Sequence, residues 1–311
     1  MTTAAAQPLA VATRGPMEIL RDYAQLTKIR VTTLVVVTAW CGFFFGARKS
    51  ALPVLTIKLL WALAGIGMVA AGTACMNEII ERKSDALMRR TALRPLVTQT
   101  MGVGHAIAVW AVLTASGATL LWVRLNPLTA LLSLLTAVCY LLMYTPLKKI
   151  SPLCTFIGAF PGAMPGVLGW TAARGKLDYE ALVLFAIVFF WQFPHFHSIA
   201  LLYRDDYARA GIRMLPVVES DGRSTARQIL MYGAALLPTT LAPTLLGMAG
   251  LSYFIGASAL GLALFYFCAR IWSECLPPST PRSRILARSL LKATVTYLPL
   301  LFALMMLNSA A

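Results

Sequence analysis

Three oxygen-bearing side chains four residues apart, Asn77, Glu81 and Asp85, carry the most specific chemistry in this sequence. They stand in NEIIERKSDALMRRTALRP, Asn77 to Pro95, together with Glu78 and the bases Arg82, Lys83, Arg89, Arg90 and Arg94. On a helix, positions i, i+4 and i+8 fall within about 80° of arc and roughly 12 Å of axis. Such a stripe suits a hard divalent cation, since Mg²⁺ takes one or two carboxylates together with substrate phosphates. The nearby guanidinium groups of Arg89, Arg90 and Arg94 are of the type that grips phosphate oxygens in pairs. The competing reading is a solvated loop whose acids merely pair with its own bases. Carboxylates at a membrane boundary are costly unless paired or functional, and this favours the first reading.

A second polar stretch, WQFPHFHSIALLYRDDYARAGIRMLPVV, follows a long apolar run. Asp205 and Asp206 lie where that run ends, and Glu219 and Asp221 come later. Helical neighbours point about 100° apart, so one of the two aspartates is expected to face a ligand. His195 and His197 lie inside the apolar run beside Pro194. They read as core histidines bonded to neighbouring helices, as contacts to an anionic or aromatic substrate, or as ligands of a transition metal. His105 opens another apolar run and reads as structural or interfacial. A third stretch, YTPLKKISPLCTFIGAFPGAMPGVLGW, repeats glycine at 158, 162 and 166, with Pro161 and Pro165 between them. Glycines four apart make one smooth helix face, for close helix packing or for a bulky flat ligand. Tyr144, Lys148 and Lys149 precede it at the same depth as the acidic stripe.

What must position these residues is a membrane bundle. The chain has 311 residues, 59% hydrophobic and 13% charged, against about a quarter charged in soluble domains. Apolar runs of the roughly 20 residues needed to span a bilayer recur along it. The expected fold is all-α with nine transmembrane helices, at 31–47, 57–76, 101–123, 127–145, 152–173, 180–202, 228–248, 250–271 and 287–309. With the N-terminus inside, 21 of the 27 bases fall on one side, which makes that side cytoplasmic and puts the C-terminus outside. Of the twelve acids only Asp178 and Glu180 fall on the other side. The formal net charge of +15 is then mostly topology and attraction to anionic lipid, and nucleic acid is not invoked. Residues 1–15 lack an apolar signal core and read as a disordered leader. Pro16 to Arg30 reads as a short amphipathic helix on the lipid surface. The rest, 16–311, is expected to be one transmembrane domain with catalytic loops at 77–98 and 203–227. Six scattered cysteines, with no Cys-x-x-Cys pair, read as small apolar packing residues.

Taken together, these strings resemble the UbiA superfamily of intramembrane prenyltransferases. The first box of that family, Asn-Asp-x-x-Asp-x-x-x-Asp, stands here as Asn77-Glu78-x-x-Glu81-x-x-x-Asp85. Within the superfamily the chain is most similar to the protoheme IX farnesyltransferase (heme O synthase) branch. The similarity lies in Met88, Arg90-Thr91, Arg94-Pro95, Tyr144-Thr145 with Lys148, Pro165, Gly169-Trp170, Pro194-His195-Phe196, Asp205-Asp206-Tyr207, Gly211 and Met214-Leu215-Pro216. It runs from about Leu26 to the end of the last span. The second box departs from the family pattern, since its two acids are adjacent rather than four apart, and His197 replaces an aromatic.

The resemblance implies a Mg²⁺-dependent transfer of farnesyl from farnesyl diphosphate to a vinyl group of heme B. Water then adds, giving heme O for terminal oxidase assembly. It implies catalytic roles for Asn77, Glu81, Asp85 and Lys148, and Mg²⁺ held by Asn77, Glu81, Asp85, Asp205 and Asp206. Diphosphate would be bound by Arg90, Arg94, Lys148, Lys149 and Arg209, and heme by His195, His197, Gly158 and Gly162. A heme A synthase or a terminal oxidase is the candidate protein partner. A bacterial inner membrane is the expected location, since the short leader region is followed by acids at Glu18 and Asp22. Two alternatives stand beside this reading: a UbiA-type enzyme prenylating an aromatic quinone precursor, and an ion-coupled transporter.

Overall fold

The computed structural model describes residues 15–309; the leader expected at 1–15 lies almost wholly outside the described residues. The helices are α1 (Pro16–Leu26), α2 (Ile29–Lys49), α3 (Ile57–Asp85), α4 (Val103–Arg124) and α5 (Pro127–Val138). A π-helical turn, Cys139–Tyr144, joins α5 to the short α6 (Thr145–Leu147). Then come α7 (Cys154–Arg174), α8 (Tyr179–Leu202), α9 (Arg204–Arg209), α10 (Leu215–Val218), α11 (Arg223–Leu245), α12 (Leu251–Glu274) and α13 (Pro281–Leu307). Among the described residues, seven segments are long and apolar enough to cross a membrane: α2, α3, α4, α5 through α6, α8, α12 and α13. The two remaining long helices, α7 and α11, stand where the sequence places the fifth and seventh of its nine spans. Internal prolines, Pro161 and Pro165 in α7 and Pro238 and Pro243 in α11, dilute their hydropathy.

Local sequence sets several of these boundaries. Asn126 caps α5 by accepting from the Thr129 amide at 2.9 Å, with Pro127 in the first helical position. Thr280 caps α13 in the same way ahead of Pro281. Glu219 takes the first amides of α11, from Ser224 at 2.9 Å and Thr225 at 3.0 Å. Most consequential is α3, which runs on past its apolar stretch to Asp85. The expected loop at 77–98 therefore begins as helix, and the acids at 77–85 stay in helical register.

The alternating spans bring Lys28, the end of α3, Lys148 and Tyr203 to one end of the bundle. The other end is tied by polar contacts. Arg174 donates to Asp178 at 2.5 Å and to Ser50 at 2.7 Å, Trp170 donates to Asp178 at 3.0 Å, and Lys49 pairs with Glu180. Asp178 and Glu180, the two acids expected on the far side, both lie in this cluster.

Between the two ends, α2 and α7 approach backbone to backbone. A Cβ on Gly169 would overlap the Ala39 carbonyl oxygen, and one on Gly42 would overlap the Gly166 carbonyl. Forcing a side chain into such a contact costs about 1–3 kcal/mol or more. Gly169→Val is expected to lower the unfolding midpoint in detergent, whereas Gly104→Ala, where the added carbon meets open space, leaves it unchanged. Equal midpoints for the two variants, measured by thermal scanning, would remove this contact from the account of the fold.

Candidate active site

The tail of α3 is lined with oxygen donors buried at the mouth of the bundle. Asn77, Glu78 and Asp85 are each at most 1% exposed. Carboxylates are tolerated there because bases from other elements reach them. Arg94 donates to Asp85 at 2.6 Å and lies 3.3 Å from Glu78. Lys148, just past α6, donates to Glu81 at 2.7 Å. Lys28, in the turn between α1 and α2, donates to the Asn77 side-chain oxygen, and the Asn77 amide donates to Thr145 at 3.2 Å. Burial alone would lower the Lys148 ammonium; Tyr144 and Glu81 beside it outweigh that and hold it well above the usual lysine range. Lys148 is thus a fixed cation in this site.

The second loop folds over the first. Arg90 donates to the Tyr207 hydroxyl at 2.9 Å, with its guanidinium 5.1 Å from the Tyr203 ring centre and 5.0 Å from that of Tyr207. Arg209 pairs with Asp206 and donates to the Leu87 carbonyl at 3.4 Å. The Arg213 amide donates to the Lys148 carbonyl at 2.7 Å. Met88 packs with Tyr207, Ile212 and Met214 beneath these contacts.

The expected site residues divide accordingly. Asn77, Glu81, Asp85, Arg94 and Lys148 come together. Asp205 turns instead to Arg284 on α13, at 2.6 Å, and Asp206 is held by Arg209. Among the described residues no three His, Cys, Asp or Glu are grouped as a metal cage; the α3 acids face bases instead, Asp85 and Glu78 sharing Arg94 and Glu81 meeting Lys148. Lys149 is exposed.

His195 bonds through Nδ1 to Thr294 at 3.0 Å and stacks on Trp191, while His197 bonds to Gln228 at 2.8 Å. His105 meets the Tyr23 hydroxyl at 2.6 Å. The smooth face expected of Gly158 and Gly162 is covered in this structure. The Tyr144 ring lies against Gly158 and the Gln192 amide against Gly162, so these glycines admit neighbouring side chains at short range.

Sequence reasoning quoted Glu78 and Thr145 in its motifs without giving them a site role, and gave none to Lys28. For Glu78 a signal existed: positions 78, 81 and 85 share a helix face at i, i+3 and i+7. Both of its carboxylate oxygens are buried without a hydrogen-bond donor. Oxygens that accept no hydrogen bond, on the same helix tail as Asn77, Glu81 and Asp85, are hard donors of the type that suits Mg²⁺.

Comparison with known proteins places this geometry. Residues 35–291 match the model of the UbiA prenyltransferase family. The chain belongs to that family. A relative from Koribacter versatilis, "Protoheme IX farnesyltransferase", is 63% identical over 302 residues, covering 97% of each chain. Solved membrane-protein structures share the fold at low identity. A digeranylgeranylglyceryl phosphate synthase superposes with a TM-score of 0.76 at 17% identity, over 94% of this chain and 99% of its own. A UbiA homologue from Archaeoglobus fulgidus bound to GPP and Mg²⁺ superposes with a TM-score of 0.62 at 16% identity, over 91% and 99%. Like the rest of the UbiA family, the chain is a multi-pass membrane protein.

Arg94 is the one base here that serves two buried acids. Removing one partner of a buried pair costs about 3–5 kcal/mol. Arg94→Met is expected to destabilise the protein by that order in chemical denaturation, and adding Glu78→Gln to recover part of the loss. No loss in the single variant would show that Arg94 does not neutralise these acids.

Proposed function

We propose that this chain is a Mg²⁺-dependent farnesyltransferase that converts heme B to heme O. The observation that carries the reading is the α3 tail, where Asn77, Glu78, Glu81 and Asp85 meet Lys28, Arg94 and Lys148 at the mouth of an apolar bundle. The choice of heme as acceptor is supported by the name of the relative from Koribacter versatilis, at 63% identity over nearly the whole chain.

In the reaction, the bond between farnesyl C1 and the diphosphate oxygen breaks, and its electron pair leaves with the diphosphate. The π electrons of the heme vinyl group form the new carbon–carbon bond to C1. Water then adds to the resulting cationic carbon and loses a proton, leaving a hydroxyethylfarnesyl group. Asn77, Glu78, Glu81 and Asp85 would hold Mg²⁺, with Asp206, whose partner Arg209 reaches the Leu87 carbonyl, the candidate from the second loop. When bound, the metal neutralises charge on the leaving diphosphate. Lys148 and Arg94 now pair with carboxylates; were those carboxylates to hold metal, both bases would be free for diphosphate oxygens, as charge-assisted donors are. Arg209 and Lys149 lie at the rim and would steer the anion in. Arg90, held between two tyrosine rings, joins the loops and keeps bulk water from the allylic cation. His195, with Nδ1 held by Thr294, serves as a heme contact, while His197 is buried against Gln228 and serves the packing. Residues 16–311 act as one transmembrane domain in a bacterial inner membrane, with the site on the cytoplasmic side. A heme A synthase or a terminal oxidase is the partner that would take the product.

Membranes carrying the protein, given farnesyl diphosphate, Mg²⁺ and heme B, are expected to yield a farnesylated heme separable by chromatography; its absence rejects the acceptor. Asn77→Ala, Glu81→Ala and Asp85→Ala are each expected to abolish turnover with the protein still inserted, and activity in all three would reject the metal site. Lys148→Ala should raise KM for farnesyl diphosphate more than KM for heme. An equal rise in both would count against its role on the diphosphate.

A further inference from the structure

The cation that meets Asn77 comes from the turn at the end of a surface helix. Lys28 stands two residues after α1 and one before α2, and its ammonium donates to the Asn77 side-chain oxygen. Its backbone is left-handed, with φ 47° and ψ 51°. Residues other than glycine rarely adopt that conformation, and it persists only where the surroundings hold it. Here contacts on both sides of the turn do so. The Lys28 amide donates to the Gln25 carbonyl at 2.9 Å, the Thr27 hydroxyl to the Tyr23 carbonyl at 2.8 Å and the Thr32 hydroxyl to the Thr27 carbonyl at 2.8 Å. Leu26 is buried with Cys75, Ile79, Leu96 and Ala106, and the Tyr23 hydroxyl meets His105 at the start of α4. The position of Lys28 therefore depends on how α1 lies.

The outer part of α1 is left uncovered by the described residues, with Met17, Ile19 and Leu20 exposed. At about 100° per residue, these three share one half of the helix with Tyr23, Ala24 and Leu26, while Glu18, Arg21, Asp22 and Gln25 take the other. Tyr23 and Leu26 seat the C-terminal end of that apolar half on the bundle; its N-terminal end stands free of it. Just past Lys28 the chain enters a span, α2, whose first turns carry the exposed Ile29, Val31 and Leu34. The helix thus lies where the chain meets the bilayer, and its open apolar edge has the lipid surface as its neighbour.

We propose that α1 is a lipid-anchored strap: contact of Met17, Ile19 and Leu20 with the leaflet on the side of the site pins the helix, and the pinned helix holds Lys28 at Asn77. The inference takes from the prenyl-transfer reading only that the α3 tail is the substrate site. With the anchor lost, α1 leaves the surface, the turn relaxes out of the left-handed region, and the ammonium moves off Asn77. The site then loses a positive charge, and an anionic substrate binds it less well.

The test charges the uncovered edge. Met17→Glu combined with Leu20→Glu is compared with Met17→Leu combined with Leu20→Ile and with the wild type, all as full chains in lipid nanodiscs. Both residues are exposed, so the packing of the bundle is undisturbed. Three quantities are read: hydrogen–deuterium exchange of the α1 amides, labelling of Lys28 by an amine-reactive reagent relative to the exposed Lys83, and affinity for farnesyl thiolodiphosphate with Mg²⁺, an analogue that resists ionisation. The double-glutamate variant is expected to exchange faster along α1, to label Lys28 roughly fivefold faster and to bind the analogue at least roughly threefold more weakly, as the pinned fraction falls. The conservative pair should match the wild type in all three. Equal exchange along α1 in the charged variant and the wild type overturns the lipid anchor. Faster exchange with unchanged Lys28 labelling, or with unchanged affinity in a protein that binds the analogue, overturns the link to the site. If exchange and labelling both respond while the wild type binds no analogue, the anchor and its hold on Lys28 stand and the prenyl-transfer reading falls.

Discussion

The structure depends on keeping carboxylates charged where water is scarce. An unpaired carboxylate in an apolar interior costs several kcal/mol, enough to take up a proton or to unfold its surroundings. Here Asp85 is held by Arg94, Glu81 by Lys148 and Asn77 by Lys28, while Glu78 lies 3.3 Å from Arg94 without accepting a hydrogen bond. These bases come from three separate stretches of chain, so the charge balance exists only once the bundle has assembled. The balance is also exchangeable. On the function proposed above, a divalent cation would replace the bases on the carboxylates, and the freed bases would turn to an anion. Opposite charges left in approximate balance at one spot would suit a metal–diphosphate pair.

The remainder of the fold makes that spot possible. Close contact of α2 with α7, through Gly42, Gly166 and Gly169, and the polar cluster of Asp178, Glu180, Lys49 and Arg174 fasten the bundle along its length and at its far end. Extension of α3 to Asp85 keeps its acids on a rigid helix, where spacing is set by geometry. The π-helical turn then brings Thr145, Lys148 and the Tyr144 ring to the same place from α5 and α6.

Much of this was legible in the sequence, because helical periodicity and hydropathy are local. The positions of the spans, the stripe at 77, 81 and 85, and the approach of Lys148 follow from spacing and from the alternation of spans. What was not legible came from long-range partners. Nothing near Lys28 points to Asn77, 49 residues away. The covering of Gly158 by Tyr144 and of Gly162 by Gln192 follows from side-chain packing between helices. The second acidic pair shows the limit most clearly. Asp205 lies in the expected loop, yet Arg284, 79 residues further on, draws its carboxylate away. Adjacent acids on one helical turn diverge, and sequence does not say which neighbour each will find.

The central claim is that the α3 acids hold a divalent cation together with a diphosphate. Manganese(II), which accepts the same oxygen ligands and is paramagnetic, tests it most directly. Electron paramagnetic resonance of the purified protein should show manganese binding strengthened by farnesyl diphosphate in the wild type, and lost when Glu81 and Asp85 are changed together to glutamine and asparagine. Manganese bound equally well by that double variant, with farnesyl diphosphate present, would contradict the account.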